Sequence, residues 1–591
     1  MGSHRRPPSN AIRKRRRKKK KSDSFLFFWL VFIIIAGCSG YVAWYLFMPS
    51  NEFQDFHTYY DLPPNEIIVV MRDKRLEDLS VNPVDYNGTV CFPLDFVKEY
   101  LDPFVFWDEN AQKLTITMPD KVLRFMPDQL NYYENGNPVA VNVPVYLING
   151  DPYLPAELLT HIYHISLDYH LDNKIIMLGF LVESRETGVI VSEKAVLRFL
   201  PDKKKPLSYR FSRNEKVDVF GQIGDYTRVK AENGLLGYVL TEQIESAGIV
   251  PGIPNEAPPA FPSPPPINGK VNMIWDQVYR AESNAISMSR TIEDGLDVIS
   301  PTWFSFDMDL SGDIISLADV DYVNWAHEHG CQVWPLLSDF SSDTTVVLNQ
   351  DISHNILSDT DKREHVIKQL MAFIAMYKLD GINIDFEYIQ PEDAVNYVEF
   401  FRELGPYMKS AGAVLSVDMY NPDKIYWSRY YNRLEVGGIA DYICVMSYDE
   451  YKNDVSGPVA SMPFVRSGME KTLLEVPKEK ILLGIPYYVR VWREETADGV
   501  TKTTRQDRGM DYGYKLFNDN NADISWDSAF GSFYASFKES GNVVYKAWLE
   551  EERSIEEKLT FMQNMDLAGV AGWSWGLESD QVWDLLRRYV K

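Results

Sequence analysis

The carboxy-terminal part of this 591-residue sequence predicts an α/β fold, a (β/α)8 TIM barrel preceded by smaller domains. Short apolar runs alternate with amphipathic helical stretches over residues 270–591. There are eight such runs, which is the number that closes this barrel. Polar and acidic residues collect at the carboxyl ends of several runs, where TIM barrels place their active sites.

Each of the eight runs is a predicted strand because it is short, apolar and rich in β-branched or aromatic residues. The runs begin at Val271, Val298, Gln332, Gly381, Val414, Tyr442, Leu482 and Gly569. Helical patterns lie between several of them. In the stretch 361–379, for example, Val366, Leu370 and Phe373 fall on one face of a helix.

The run LDGINIDFEY, residues 379–388, is the most informative of the eight. On a strand, Asn383, Asp385 and Glu387 would share one face, and the apolar residues between them would share the other. Neighbouring buried carboxylates repel and raise each other's pKa. One of them can then stay protonated at neutral pH and donate a proton. The alternative interpretation is an ordinary half-exposed strand, whose polar residues simply face water.

Residues at the ends of neighbouring runs separate these two interpretations. Asp418 and Tyr420 end the fifth run, Tyr448 and Asp449 follow the sixth, and Trp573 lies on the eighth. Because the strand ends of a barrel meet at one face, these side chains should converge with those of the fourth run. Convergence from separate strands favours catalysis over a solvated strand face.

The amino-terminal end predicts a membrane anchor. Residues 1–24 form a basic tail with a net charge of +10, so the total of −24 leaves −34 for the remainder. Residues 25–48 are uncharged and mostly apolar, long enough to cross about 30 Å of hydrocarbon as a helix. The positive-inside rule puts the tail in the cytoplasm and the acidic remainder outside. A body this acidic is not expected to bind nucleic acid.

The four cysteines predict neither a zinc site nor a disulfide framework, since they are widely spaced and form no CxxC pair. No metal or cofactor is expected. Cys38 leaves one alternative open, because the segment IAGC that ends at Cys38 is similar to a bacterial lipobox. Lipidation there would replace the signal anchor, but the apolar run continues from Tyr41 to Met48 and favours the anchor.

Residues 65–182 contain an internal repeat at an offset of 62. Asn87-Gly88 corresponds to Asn149-Gly150, and Pro93 corresponds to Pro155. Each copy predicts a turn, a short helix and a pair of strands. The pattern resembles the stalk-type domain named after the amino-terminal domain of copper amine oxidases. This resemblance implies no copper, and His161 and His164 are predicted to be surface residues of a helix.

Two further segments separate this domain from the barrel. Residues 187–247 have short β-rich runs between glycine and aspartate turns, and they resemble a bacterial SH3-like domain. That resemblance implies either contact with cell-wall peptide or a passive module. Residues 250–269 hold eight prolines and predict a semi-rigid linker, the sharpest boundary in the chain.

The motifs of residues 270–591 resemble glycoside hydrolase family 18, the chitinase family. DGINIDFE (residues 380–387) is similar to the DGxxxDxE motif, MSYDEY (446–451) to the strand-six motif, and GVAGWSW (569–575) to the strand-eight tryptophan motif. Other stretches resemble the bacterial branch that includes spore-cortex N-acetylglucosaminidases. The sequence departs from many chitinases at Asn383, where they have an acid.

The resemblance implies a substrate-assisted mechanism with retention of configuration, in which the acetamido oxygen of the sugar is the nucleophile. Glu387 would be the general acid and base, Asp385 would hold the acetamido N–H, and Tyr448 would bind the acetamido carbonyl. The substrate site is expected to include the following residues: Met446, Asp449, Trp573, Asn383 and Asp418. Asp380 is expected to support the end of the strand.

We therefore expect a single-pass protein of a bacterial cell membrane, with its carboxy-terminal domains outside, that cleaves β-linked N-acetylglucosamine glycans. Peptidoglycan is the favoured polymer because of the anchor and the wall-type domains, and chitin is the alternative. A non-catalytic, chitinase-like lectin is a further alternative. Such lectins generally lack the acid at the position of Glu387, which is present here.

Overall fold

The computed structural model describes residue 2 and residues 22–591 except 65, 78, 80, 256, 258, 259, 265, 340–348, 425–427, 453, 454 and 540. The basic run 13–21 lies outside the described residues. The chain divides into two compact units. The first unit contains residues up to 91 and residues 159–255, and the second contains residues 92–158 and 256–591.

The first unit begins with the helix Ser22–Phe47. Within the described residues, its segment Phe25–Phe47 is the one helix long and apolar enough to cross a membrane. Its large apolar side chains are exposed, unlike those of a core helix. The predicted span 25–48 coincides with this helix.

The remainder of the first unit is built on two sheets that share one apolar core, in which Ile68, Ile175, Val217 and Val229 take part. A four-stranded sheet has the order Ile165–His170, Ile175–Phe180, Ile68–Met71 and Lys74–Arg75. A seven-stranded antiparallel sheet has the order Leu207–Arg210, Val196–Arg198, Leu236–Leu240, Tyr226–Ala231, Lys216–Ile223, Arg185–Ile190 and Ile244–Val250. The helix Phe56–Tyr60 and the 3-10 turn Thr241–Gln243 complete this unit.

The structure contains the internal repeat at the offset that the sequence predicts. The first copy consists of Val84–Tyr86, Thr89–Pro93, the helix Leu94–Tyr100, Phe106–Asp108 and Lys113–Met118. The second copy consists of Tyr146–Ile148, Asp151–Pro155, the helix Ala156–Ile162, Ile165–His170 and Ile175–Phe180. Both residues of each Asn-Gly turn have positive φ, as a two-residue hairpin of type I′ requires.

A five-stranded antiparallel sheet of the second unit packs against the outside of the barrel. Its strands follow one another in chain order: Phe106–Asp108, Lys113–Met118, Lys121–Phe125, Asn131–Glu134 and Asn137–Ala140. The buried Arg124 forms an ion pair with the fully buried Glu403, at 2.8 Å. Asp108 Oδ2 accepts a hydrogen bond from the backbone N–H of Thr360, at 3.0 Å. These buried polar contacts fix the sheet to two barrel helices.

The barrel itself has eight parallel strands. They are β1 (Val271–Asp276), β2 (Val298–Pro301 and Phe304–Phe306), β3 (Gln332–Val333 and Leu336–Ser338), β4 (Gly381–Asp385), β5 (Val414–Tyr420), β6 (Tyr442–Met446), β7 (Ile481–Pro486) and β8 (Gly569–Trp573). Each strand pairs with the next, and β8 pairs with β1, which closes the barrel. Pro335 interrupts β3 because proline has no N–H to donate. All eight predicted strands are confirmed.

Helices surround these strands, as the amphipathic patterns predict. They are Ala281–Met288, Val320–Glu328, Asn349–Leu357, Thr360–Tyr377, Ala394–Ala411, Arg433–Ile439, Met462–Thr472, Glu552–Asn564 and Asp580–Val590. Short 3-10 turns lie at Pro391–Asp393 and Lys478–Lys480, and a short strand, Ile314–Ser316, pairs with the second part of β2.

An insertion between β7 and β8 forms a separate five-stranded sheet with one helix. The strands have the order Val500–Gly509, Tyr488–Ala497, Val543–Leu549, Ser532–Lys538 and Asp523–Asp527, and the helix is Met510–Asp519. The strand Tyr488–Ala497 starts two residues after β7, so its first side chains lie close to the barrel mouth.

Candidate active site

The end of β4 positions the two carboxyl groups that the sequence singles out. Asp385 is the last residue of the strand, so Glu387 lies just beyond it. The prediction that both residues share a strand face is therefore wrong for Glu387. Asp339, directly after β3, explains the break. Its carboxylate accepts hydrogen bonds from the backbone N–H groups of Glu387 and Tyr388, at 3.0 and 3.1 Å, and holds them away from strand pairing.

Asp339 is itself completely buried, and the hydroxyl of Ser353 also donates to its carboxylate. Burial raises the pKa of Asp339 to about 7, against these hydrogen bonds, which lower it. Asp339 was not among the candidate residues from the sequence. Its position as the last residue of the third apolar run was the available signal, by the same rule that selected Asp418 and Tyr448.

Asn383 has a defined role in this arrangement. Its side chain is fully buried, and its Oδ1 accepts hydrogen bonds from Trp275 Nε1 at 2.9 Å and from the hydroxyl of Ser300 at 3.3 Å. Its Nδ2 donates to Asp418 Oδ1 at 2.8 Å. An amide can donate and accept at once, whereas an ionised carboxylate can only accept. Asn383 therefore links β1 to β5 and holds the Asp418 carboxyl.

Asp418 is almost fully buried on β5. Burial raises the pKa of Asp418 to about 7, although its hydrogen bonds with Asn383, Cys444 and Trp275 oppose the rise. Cys444 lies on β6 with its side chain in the barrel interior. The thiol of Cys444 makes a hydrogen bond with this carboxyl.

Asp385 carries the least satisfied polar atom of the site. Its Oδ1 is buried and has no hydrogen-bond partner within the described part of the chain. Burial raises the pKa of Asp385 well above its ordinary value, and the charges of Glu387, Asp418 and Asp339 raise it further. A buried oxygen without a partner is costly, so this group is arranged to receive a donor from outside the protein.

Glu387 is held by a tyrosine of the neighbouring strand. Tyr420, the last residue of β5, donates its hydroxyl to Glu387 Oε2 at 2.6 Å. Burial raises the pKa of Glu387, while this hydrogen bond and the charge of Lys452 lower it. The balance leaves a carboxyl whose pKa is above its usual range, as a proton donor near neutral pH requires.

Aromatic side chains form one wall beside these acids. The Trp275 ring lies 5.9 Å from that of Trp573 and 6.5 Å from that of Tyr448, centroid to centroid. Trp573 ends β8 and is partly exposed, and Met446 ends β6 and is buried. The predicted residues of β6 and β8 are thus brought together through Trp275, a residue that sequence reasoning did not single out.

Asp449 follows β6 and has a φ of 60°, which turns the chain sharply after Tyr448. Its carboxylate accepts a hydrogen bond from the hydroxyl of Tyr488. It accepts a second hydrogen bond from Arg490 Nη2, at 2.6 Å. Lys452 Nζ lies 3.0 Å from its Oδ2. Despite burial, these groups lower the pKa of Asp449, whereas burial raises the pKa of Asp385 and of Glu387.

Asp380 has the supporting role that the sequence predicts. It lies immediately before β4, and its Oδ2 accepts a hydrogen bond from the backbone N–H of Val333 at 2.9 Å, so it supports the strand end. In the insertion, Trp492 is fully buried with its Nε1 donating to Gly457 O at 2.8 Å, and is a core residue. Trp526, Tyr534 and Trp548 lie on the sheet of the insertion.

No histidine, cysteine or acidic cluster of metal-binding type occurs in the described ranges. His164 lies after the helix Ala156–Ile162 rather than within it, and its Nε2 is 3.0 Å from the carbonyl oxygen of Ile253. His161 is exposed on that helix.

Acids with separated pKa values beside an aromatic wall, at the mouth of a closed parallel barrel, are features of the glycosidases. The comparison with known families agrees. Residues 350–578 match the family described as "Glycosyl hydrolases family 18", so this part of the chain is a domain of that glycosidase family. Residues 71–178 match "Copper amine oxidase N-terminal domain", which confirms the predicted stalk-type domain.

Individual relatives are distant. The "Uncharacterized glycosylase YvbX" of Bacillus subtilis is 26% identical over 304 residues, which are 50% of this chain and 85% of that protein. The "Cortical fragment-lytic enzyme" of Bacillus subtilis is 25% identical over 244 residues, 40% of this chain and 56% of that enzyme. The spore cortex-lytic enzyme SleL of Bacillus cereus, a solved structure, is 18% identical with a TM-score of 0.49 over 59% of this chain and 78% of that one.

Proposed function

We propose that this protein is a membrane-anchored glycosidase that cleaves β-linked N-acetylglucosamine glycans outside the cell, with peptidoglycan as its polymer. The observation that carries the proposal is the pair at the end of β4. Glu387 is a carboxyl with a raised pKa and a tyrosine partner, and Asp385 beside it has a buried oxygen with no hydrogen-bond partner among the residues that the structure describes. A proton donor next to an unfilled acceptor suits a sugar that carries an acetamido group.

In the first step, Glu387 protonates the glycosidic oxygen as the bond from that oxygen to C1 breaks. The acetamido carbonyl oxygen of the same sugar attacks C1, and a cyclic oxazolinium ion forms. In the second step Glu387, now ionised, removes a proton from water. That water attacks C1, the ring of the intermediate opens, and the product keeps its β configuration. Glu387 acts first as acid and then as base.

Asp385 would accept the acetamido N–H through its Oδ1 and stabilise the positive charge of the oxazolinium ion. Tyr448 would donate its hydroxyl to the acetamido carbonyl oxygen and direct it toward C1. Tyr448 is buried beside Trp275, with the two ring centres 6.5 Å apart. Asp385 Oδ1 has no hydrogen-bond partner among the described residues, so the substrate N–H would fill this acceptor rather than displace an existing bond.

The other predicted residues would bind or support the sugar. Trp573 would form the apolar floor under the reacting ring, and Met446 and Asp449 would line the same subsite. Asn383 and Asp418 would act through their hydrogen bond. This bond fixes the barrel interior next to Asp385, whose pKa the charge of Asp418 raises.

Three features support peptidoglycan over chitin. The apolar helix Phe25–Phe47 would anchor the chain in the membrane that a cell wall surrounds. A relative is named as a cortical fragment-lytic enzyme, which points to wall glycan as a substrate class. The seven-stranded sheet of residues 185–250 would be an SH3-like domain that contacts wall peptide.

The test is incubation of the full-length protein, in detergent, with peptide-free peptidoglycan glycan strands and with chitin oligomers, followed by mass spectrometry of the products. Cleavage of the peptidoglycan strands is expected. A Glu387→Gln variant keeps the shape of the site and serves as the control, and it should bind glycan without cleaving it. Binding without turnover by the natural protein would instead identify a lectin, and turnover of chitin alone would identify a chitinase.

A further inference from the structure

A cavity in the first unit, remote in sequence from the barrel, has no role in the proposed reaction. It has a volume of about 480 Å³, within the range of about 300–1,000 Å³ that small-ligand pockets occupy. Its apolar walls are aromatic and include Phe56, Tyr60, Phe199 and Tyr238. A volume of this size is too large for a lone ion and suits a short peptide or a similar organic group.

The charges of the cavity are mostly positive, although the chain as a whole carries −24. Among the described residues, Lys74, Arg75 and Arg228 line it together with one acid, Glu77. Arg75 Nη2 lies 2.8 Å from Glu77 Oε1. Arg228 lies 3.7 Å from a carboxylate oxygen of Asp73, which is not one of the lining residues. Three cations against two carboxylates leave room for one further negative charge.

The two guanidinium groups also have N–H donors that make no hydrogen bond within the described residues. Arginine has five N–H donors, of which Arg75 uses one on Glu77 and Arg228 uses two, on Asp73 O and on the Tyr238 hydroxyl. The Nε atoms of both arginines are buried without a hydrogen-bond partner within the described residues, although Arg228 Nε has Asp73 Oδ2 at 3.7 Å as its ion-pair partner. Buried donors without partners are rare in folded proteins, and an anion that draws the two groups inward would satisfy them.

Both arginines are held in place by stacking rather than by ion pairs alone. The Arg75 guanidinium lies 4.6 Å from the centre of the Tyr60 ring, and that of Arg228 lies 5.8 Å from the centre of the Tyr238 ring. Stacking orients a guanidinium so that its edge remains free for a planar acceptor, and a carboxylate matches that edge in a bidentate geometry. Lys74 is exposed at the cavity and has no ion pair with any described residue.

We propose that this cavity binds a carboxylate group of the short peptides attached to peptidoglycan. The inference rests on the proposed function, in that it takes peptidoglycan as the polymer on which the protein acts. One surplus positive charge matches one carboxylate, and the aromatic walls match the small apolar side chains and peptide planes next to it. Chitin is uncharged and carries no peptide, so this cavity would give the protein a preference for peptide-bearing wall glycan.

The test is calorimetric binding of a synthetic wall-type tetrapeptide with free carboxylates to the full-length protein in detergent. Binding is expected, and the same peptide with its carboxylates amidated should bind at least about tenfold more weakly. Arg75→Gln and Arg228→Gln should each weaken binding of the acid form by about tenfold or more. Arg213→Gln, at an exposed arginine outside the cavity, is the control for net charge and should have no effect.

Folding and activity controls keep the outcomes distinct. The variants should keep the natural melting temperature and the natural rate on peptide-free glycan, because neither arginine belongs to the catalytic site. Lys74→Gln, at an exposed position, provides a variant without a folding risk and should weaken peptide binding by about threefold. Unchanged peptide binding in all three cavity variants would overturn the inference while glycan cleavage stands.

Two other results are informative. Displacement of the tetrapeptide by poly(glycerol phosphate) at a similar or lower concentration would overturn the assignment and identify a phosphate-polymer site. Peptide binding that depends on Arg75 and Arg228, in a protein that cleaves no peptidoglycan strand, would support the cavity and contradict the proposed enzymatic function.

Discussion

The buried carboxyl of Asp418 gives the protein a stability that falls as pH rises, and Asp418→Asn should remove this dependence. Burial raises the pKa of Asp418 to about 7 in the folded protein, whereas an aspartate in an unfolded chain has a pKa of about 3.9. Between these values the folded state holds a proton that the unfolded state has released. Stability contributed by this proton is therefore lost as pH rises toward 7.

The size of the change in unfolding free energy follows from the pH range in which the folded state holds a proton that the unfolded state has released. Each pH unit between pH 5 and about 7 costs about 1.4 kcal/mol of unfolding free energy, so the loss between pH 5 and pH 8 is at most about 3 kcal/mol. An asparagine at position 418 has the same shape and can still accept the hydrogen bond from Asn383 Nδ2. The variant should therefore gain up to about 3 kcal/mol on the natural protein between pH 5 and pH 8.

Guanidinium unfolding of both proteins, followed by tryptophan fluorescence at pH 5 and pH 8, measures this difference. Asp498→Asn, at an exposed turn of the insertion, is the matched control and should show no pH-dependent difference. An advantage of the Asp418 variant that is equal at the two pH values would refute the reasoning, because it would mean that Asp418 is ionised at both or at neither.

Three further outcomes are expected. Tyr420→Phe removes a charge-assisted hydrogen bond, worth about 1.5–3 kcal/mol, that lowers the pKa of Glu387. The basic limb of the pH profile of kcat/KM should move to higher pH, and an unmoved limb would argue against Glu387 as the acid. Asn383→Asp places a second carboxyl against Asp418 and should destabilise the fold by about 1–3 kcal/mol, more at pH 8 than at pH 5, in the same unfolding assay. Trp573→Ala, made in the Glu387→Gln background, should weaken calorimetric binding of N-acetylglucosamine oligomers by about tenfold or more, and unchanged affinity would remove Trp573 from the sugar floor.

Much of the barrel could be predicted because its strands are buried on both faces. Continuous apolar runs such as VLSVDMY and YICVMSY leave little ambiguity when eight of them alternate with helical patterns. The repeat of residues 65–182 was equally accessible, since its two Asn-Gly turns mark equivalent hairpins. The cavity at Arg75 and Arg228 could not be predicted, because it depends on how segments distant in sequence pack together.

The sequence identified individual acids of the site, but it did not identify the groups with which those acids form hydrogen bonds. Position at a strand end selected Asp385, Asp418 and Tyr448. The same position did not reveal that Asp339 binds the backbone after β4 and so ends that strand before Glu387. Hydrogen bonds between strands depend on register and rotamer, which a single sequence does not specify.

Asn383 shows why such partners matter. From the sequence it was only a missing charge in a motif that otherwise resembles family 18. In the structure its amide donates to Asp418 and accepts from Trp275, a combination that an ionised acid at this position could not provide.

The central claim is that the acetamido group of the substrate is the nucleophile, with Glu387 as acid and then base. Proton NMR of the first products released from a β-linked N-acetylglucosamine oligomer tests this claim most directly, because the anomeric signal is read before mutarotation. The new reducing end is expected to appear first as the β anomer. Initial release of the α anomer would mean direct attack by water and would contradict it.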